Sequence, residues 1–263
     1  MEPNNKGKKG ILAIGMFLLA LLSKGKFILL FALSKLKFLL VFLKLGKFAT
    51  TAVSMALTIG VYAVAYGIWF ALGLVGLLFV HEYGHYYMAK RVGLAVSGPV
   101  FIPFIGAFIG MKEEPKDVVT EAKVGYAGPL FGSAAAVLAL MVYWATGNEF
   151  AAVMANLGFI LNLFNLMPVH PLDGGRVVGA ISPYLWLIGI PILVYFTFIS
   201  FSPILLLILF LGIIQAYKLW RDRKLDSPYY VVPLRERIGF AVIYFTLVVI
   251  LGLGTTYTLE VLR

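Results

Sequence analysis

IWFALGLVGLLFVHEYGHYYMAKR, residues 68–91, is the stretch from which the rest of the chain is read. From Ile68 to Val80 no side chain is charged. His81, Glu82, Tyr83, Gly84 and His85 then follow in one row, and Lys90-Arg91 closes the segment. His81 and His85 are four apart, so on a helix they stack on one face, and two imidazoles can grip one Zn²⁺. Glu82, beside the first of them, projects near such a metal without binding it and is suited to take a proton from water. Ionisable side chains inside an apolar run are costly and mark function. The pattern H-E-x-x-H alone is only moderately specific.

Composition sets the class. Hydrophobic residues make up 61% of the chain and charged residues 13%, with a mean hydropathy of +0.95. A soluble domain of this length cannot hide so much apolar surface, so the expectation is an all-α polytopic membrane protein. Cysteine is absent, so any metal must use His, Asp or Glu. The net charge of +10 does not point to nucleic acid. Its Lys and Arg lie between apolar runs, as topology signals and as contacts to a bilayer with anionic headgroups.

Residues 1–47 read as a basic N-terminal region. Lys24, Lys26, Lys35, Lys37, Lys44 and Lys47 are spread among Phe and Leu. No apolar run there reaches the ~20 residues of a span, and no small-residue cleavage site follows Ile11–Leu22. The expectation is an imperfect amphipathic helix on the membrane surface, with a re-entrant or spanning Ile11–Leu22 as the alternative. Residues 48–263 read as the membrane-embedded domain, with a catalytic core at about 48–176 and additional helices at 177–263.

About seven spans are expected: Phe48–Tyr66, Ile68–Arg91, Val118–Ala145, Glu149–Leu166, Val177–Ile199, Pro203–Tyr217 and Ile238–Thr256. Between the second and third, Leu94–Met111 is interrupted by Gly98-Pro99, Pro103, Gly106 and Gly110. It reads as short strands or a re-entrant loop, tolerated at membrane depth only against protein or water. With the N-terminus cytoplasmic, every dense Lys/Arg cluster falls inside. The His pair then lies about 10 Å from the cytoplasmic face, and its opening is cytoplasmic. Gly128 and Gly132 have the small-x-x-x-small spacing that lets helices pack closely. The helix ending near Leu166 is broken by Met167-Pro168-Val169-His170-Pro171-Leu172-Asp173-Gly174-Gly175.

Two imidazoles need a third protein ligand. His170 is the one other histidine in the chain and shares a loop with Asp173; from spacing alone either can supply it. Here the sequence resembles the site-2 protease family of intramembrane zinc metalloproteases. The likeness rests on His81-Glu82-Tyr83-Gly84-His85, on Gly128 and Gly132, and on Asn165-Leu166-Met167-Pro168 leading to Leu172-Asp173-Gly174-Gly175, and it covers about Phe48–Gly175. It implies His81, His85 and Asp173 as ligands of one zinc per chain, Glu82 as catalytic acid/base, and Asn165 as the residue that stabilises the oxyanion or holds substrate. His170 stands where members often carry proline, as a rival ligand or a residue behind the ligands. The resemblance also implies transmembrane protein substrates, cleaved within or near the membrane, with Leu94–Met111 matching the family's membrane-embedded strands. The PDZ and CBS domains carried by many members do not fit in this sequence. A catalytically silent relative that binds membrane segments is one alternative, against which the intact Glu82 argues. A metal or ion transporter is another, against which stands the lack of an inverted repeat.

Overall fold

The computed structural model of the chain describes residues 47–200, 202–221 and 227–263. The amphipathic or re-entrant helix expected before Lys47 lies outside the described residues. The chain divides into two compact units, Met1–Thr50 and Thr51–Arg263. The described part of the first is the opening of helix α1, and all remaining described elements belong to the second.

Helix α1 (Lys47–Tyr66) and helix α2 (Ile68–Arg91) are joined by one residue, Gly67, at φ 88° and ψ 155°. A side chain there would be strained, so glycine is what permits a turn this short. Helix α2 ends on Lys90 and Arg91, and Gly93 at φ 82° turns the chain away.

The Gly/Pro-rich stretch forms a hairpin, as its composition predicts. Strand β1 (Val100–Ile102) pairs antiparallel with β2 (Gly106–Phe108), in the register Val100↔Phe108, Phe101↔Ala107, Ile102↔Gly106. A bridge between Val96 and Met111 extends the pairing. The hairpin takes partners from α1: Phe101 N–H of β1 donates to Ser54 Oγ at 3.2 Å and Phe104 N–H of the turn to the Tyr62 hydroxyl at 2.9 Å. Irregular backbone within a bilayer needs protein partners of this kind. Phe101 packs beneath, with Tyr62, Ala71 and Val75.

Helix α3 (Val118–Thr146) begins at Asp117, whose carboxylate accepts from Thr120 N–H at 2.7 Å, and ends at left-handed Gly147. This capping bond, backed by Lys116 and Lys123, outweighs the partial burial of Asp117 and holds its carboxyl below the usual range. Helix α4 (Glu149–Asn165) follows, capped by Asn148 Oδ1 accepting from Phe150 N–H at 2.9 Å. Helices α3, α4, α5 (Asp173–Ile181) and α8 (Leu234–Val261) share one core, built on Ala136, Phe159, Val178 and Leu251. Tyr244 of α8 donates to the Leu166 carbonyl, tying that helix to the loop before Asp173.

The expected single run Val177–Ile199 is not one helix. It is divided into α5, a 3₁₀ turn at Pro183–Leu185 and α6 (Trp186–Ile199). Pro183 has no N–H to continue α5, and its ring drives Ser182 into extended backbone at φ −165° and ψ 117°. Residue 176, the expected end of the core, lies inside α5. Helix α7 (Pro203–Arg221) and a 3₁₀ turn at Pro228–Tyr230 complete the described elements.

The structure does not establish the expected seven spans. Among the described residues four helices have the length and apolarity to cross a membrane: Ala49–Tyr66 within α1, α2, α3 and α8. Glu149–Asn165, Pro183–Ile199 and Pro203–Lys218 are apolar but shorter. At 1.5 Å per residue, α4 reaches about 25 Å, less than the ~30 Å hydrocarbon layer. Helix α3 is the most enclosed of the four, 50% buried against 17% for α1.

Candidate metal centre

Helix geometry brings His81 and His85 together on the inner face of α2, both rings buried and 4.8 Å apart between centres. Their Nε2 atoms approach to 3.0 Å, and Asp173 Oδ2 lies 3.2 Å from each. Asp173 is the first residue of α5, 92 positions beyond His81.

The hydrogen bonds decide which atoms face the centre. His85 Nδ1 lies 2.8 Å from the Val124 carbonyl, which can only accept, so Nδ1 carries the proton. His81 Nδ1 lies 2.8 Å from Asn162 Oδ1, while Asn162 Nδ2 donates to the Gly158 carbonyl at 2.7 Å. With the amide so oriented, His81 Nδ1 is also the donor. In the neutral form that binds a metal, each ring turns a bare Nε2 lone pair toward a carboxylate oxygen, so three acceptors meet with no donor among them. A shared proton would relieve one pair, whereas a dication relieves all three. Ligands held at about 2.0–2.1 Å around one tetrahedral zinc lie roughly 3.3 Å apart, close to the separations here. The donor set and its spacing therefore fit the metal.

The glycines of α3 have a more specific task than helix packing alone. A Cβ on Gly128 would enter the His85 ring, and one on Gly132 would strike the Asn162 amide. On α2, a Cβ at Gly84 would meet the Ala127 carbonyl of α3. Gly128→Ala is expected to destabilise the protein by about 1–3 kcal/mol, the usual penalty for overpacking, and to weaken metal retention because the imidazole must swing away. Thermal unfolding with and without added zinc measures both; a variant that melts and retains metal like wild type would show that this seat is not needed.

In α5, Gly174 and Gly175 allow the Leu166–His170 backbone to lie against the first turn: a Cβ on Gly174 would meet the Leu166 and Met167 carbonyls, and one on Gly175 the Val169 and His170 backbone. That contact sets Asp173 against α2.

A cavity of about 310 Å³ opens beside the three side chains. Glu82, Asn165 and Arg176 line it, with Ala107 and Phe108 of β2 forming part of one wall. Glu82 is buried and Asn165 ends α4. Arg176 Nε is buried without a hydrogen-bond partner.

His170 stands apart from this group. Its Nε2 is 3.5 Å from Glu121 Oε1, and its ring meets Trp186 edge-on at 5.5 Å. The Tyr229 hydroxyl donates to Glu121 Oε2 at 2.7 Å. Burial and the Glu121 carboxylate push that phenol far above its usual range, so it stays a donor at any physiological pH.

Sequence reading missed Asn162, Val124, Glu121, Arg176 and Tyr229. Asn162 did leave a signal, as a polar residue inside an apolar helix three positions before Asn165. Val124 left none, because its contribution is a backbone carbonyl.

Residues 69–149 match Peptidase family M50. A zinc metalloprotease of Methanocaldococcus jannaschii is 35% identical over 114 residues, covering 40% of this chain and 33% of that protein. Rip3 of Mycobacterium tuberculosis is 36% identical over 141 residues, covering 49% of this chain and 35% of that protein. The chain thus matches about a third of the length of each of these curated relatives. Among solved structures, the site-2 protease from Methanocaldococcus jannaschii aligns with 25% identity and a TM-score of 0.42, over 62% of this chain and 85% of that one.

Proposed function

We propose that this chain, which matches Peptidase family M50 over residues 69–149, is an intramembrane zinc metalloprotease that hydrolyses peptide bonds within or near transmembrane segments of membrane proteins. The observation that carries this reading is the meeting of His81 Nε2, His85 Nε2 and Asp173 Oδ2 at 3.0–3.2 Å, beside a cavity lined by Glu82. The names of the relatives support the same chemistry.

In this reading His81, His85 and Asp173 hold one zinc per chain. Bound there, zinc supplies a Lewis acid that acidifies water and polarises a carbonyl oxygen. Glu82 accepts a proton on its carboxylate as water attacks the scissile carbonyl carbon. The carbonyl electrons move onto oxygen, where the Asn165 amide N–H donates a hydrogen bond. As the C–N bond breaks, Glu82 returns the proton to the leaving nitrogen. A helical substrate must first unwind, because its carbonyls are otherwise engaged. The short hairpin at the cavity wall suits the unwound segment, which would add to it as a strand.

The same reading extends to topology. Residues 48–263 form the membrane-embedded domain, and the three shorter apolar helices join the four long ones as spans. Residues 1–47 lie on the cytoplasmic surface among anionic headgroups, and the cavity opens to that side. The N-terminal lysines should therefore react with a membrane-impermeant amine reagent in inside-out vesicles and stay unlabelled in intact cells. Labelling from outside would reverse the topology. The activity itself is tested with purified protein in liposomes, by zinc per chain and by cleavage of single-span substrates. About one zinc and chelator-sensitive cleavage are expected; protein with neither would refute the reading.

A further inference from the structure

Among the described residues, one buried polar side chain contacts the proposed ligand group without belonging to it or lining the cavity. Asn162 is 3% exposed and lies in an apolar helix. An apolar side chain there would avoid the desolvation that burying an amide entails. Both ends of that amide are engaged. Nδ2 donates at 2.7 Å to the Gly158 carbonyl one turn earlier, and Oδ1 faces His81 Nδ1 at 2.8 Å. Rotating the amide by half a turn would set its oxygen against the Gly158 carbonyl oxygen, two acceptors with no donor between them. One orientation therefore survives. From α3, the bare Cα of Gly132 closes over the group, where a Cβ would strike Oδ1, Nδ2 and Cγ together.

We infer that Asn162, seated by Gly132, is a positioning residue that holds the His81 proton on Nδ1 and aims Nε2 at the metal. This rests on the reading of His81 as a zinc ligand. His85 receives the same service from the Val124 carbonyl at 2.8 Å. The two rings are therefore oriented by unlike devices, and only that of His81 is open to side-chain substitution. Outer-shell partners of this kind fix the tautomer and ring direction of a ligating histidine.

The test uses the full chain in detergent, with zinc competed away by a chelator of known affinity. Asn162→Leu should lose about 10–100-fold in zinc affinity, with the metal-free protein melting as wild type. Asn162→Asp should stay within a few-fold of wild type, because a protonated carboxyl reproduces both hydrogen bonds and an ionised one strengthens that to the ring. Gly132→Ala, which alters no polar atom, should weaken zinc binding in the direction of Asn162→Leu. In wild type, the ¹⁵N signals of His81 should report a proton on Nδ1; a proton on Nε2 would overturn the inference even if every variant misfolds. Unchanged affinity in Asn162→Leu would overturn it too, as would a loss that tracks metal-free melting and that Asp does not rescue. Wild-type protein that binds no zinc would instead fail at the metalloprotease reading, and this inference would fall with it.

Discussion

Glu82→Gln is expected to keep its zinc and to lose cleavage by about 10²–10⁴-fold, the range that a positioned acid/base contributes. The substitution preserves the size and polarity of the side chain on α2 and leaves His81, His85 and Asp173 untouched. Among the described residues, it removes the carboxylate that lines the cavity together with His81, His85 and Asp173. Zinc per chain and turnover of a single-span substrate, measured on the same sample, separate the two roles. Near-wild-type cleavage would show that the proton is carried elsewhere. Loss of zinc together with activity would make Glu82 part of the metal shell.

The second large effect is a contrast between two residues three positions apart. Asp173→Asn should lose zinc affinity by more than the roughly 10–100-fold attached to an outer-shell contact, and all activity with it. His170→Ala should keep its zinc and lose activity only in part. The basis is geometric: Asp173 Oδ2 is 3.2 Å from both Nε2 atoms, while His170 Nε2 is directed to Glu121 at 3.5 Å. Zinc analysis of both variants after identical dialysis decides between them. If His170→Ala is the variant that empties, the third ligand is a histidine.

The structure also explains why some elements were legible in advance and others were not. Gly67 was readable as a turn because it interrupts an apolar run too long for one span, and the structure turns there in a single residue. The hairpin was readable from Gly and Pro spacing. The break at Ser182-Pro183 is hidden in the hydropathy pattern because the flanking residues are apolar, although proline constrains the residue before it. Helix α4 reads as a span from its composition alone, and it is shorter than the four long helices.

By itself the sequence determined what depends on near neighbours along the chain. His81 and His85 share a face because a helix brings residues four apart together, and an apolar segment of this length becomes a helix in a bilayer. Composition, the span-length segments and the His-Glu-His row are local in the same sense. Tertiary structure decided what depends on distant segments meeting. It brought Asp173, and not the neighbouring His170, against the imidazoles, because Gly174 and Gly175 let the Leu166–His170 backbone lie on the first turn of α5. It turned the glycines of α3 from a packing stripe into seats for a ring and an amide. It also supplied Asn162 and the Val124 carbonyl as partners of the two Nδ1 atoms. A hydrogen bond across 81 residues has no signature in sequence spacing, since it exists only once α2 and α4 are both packed against α3.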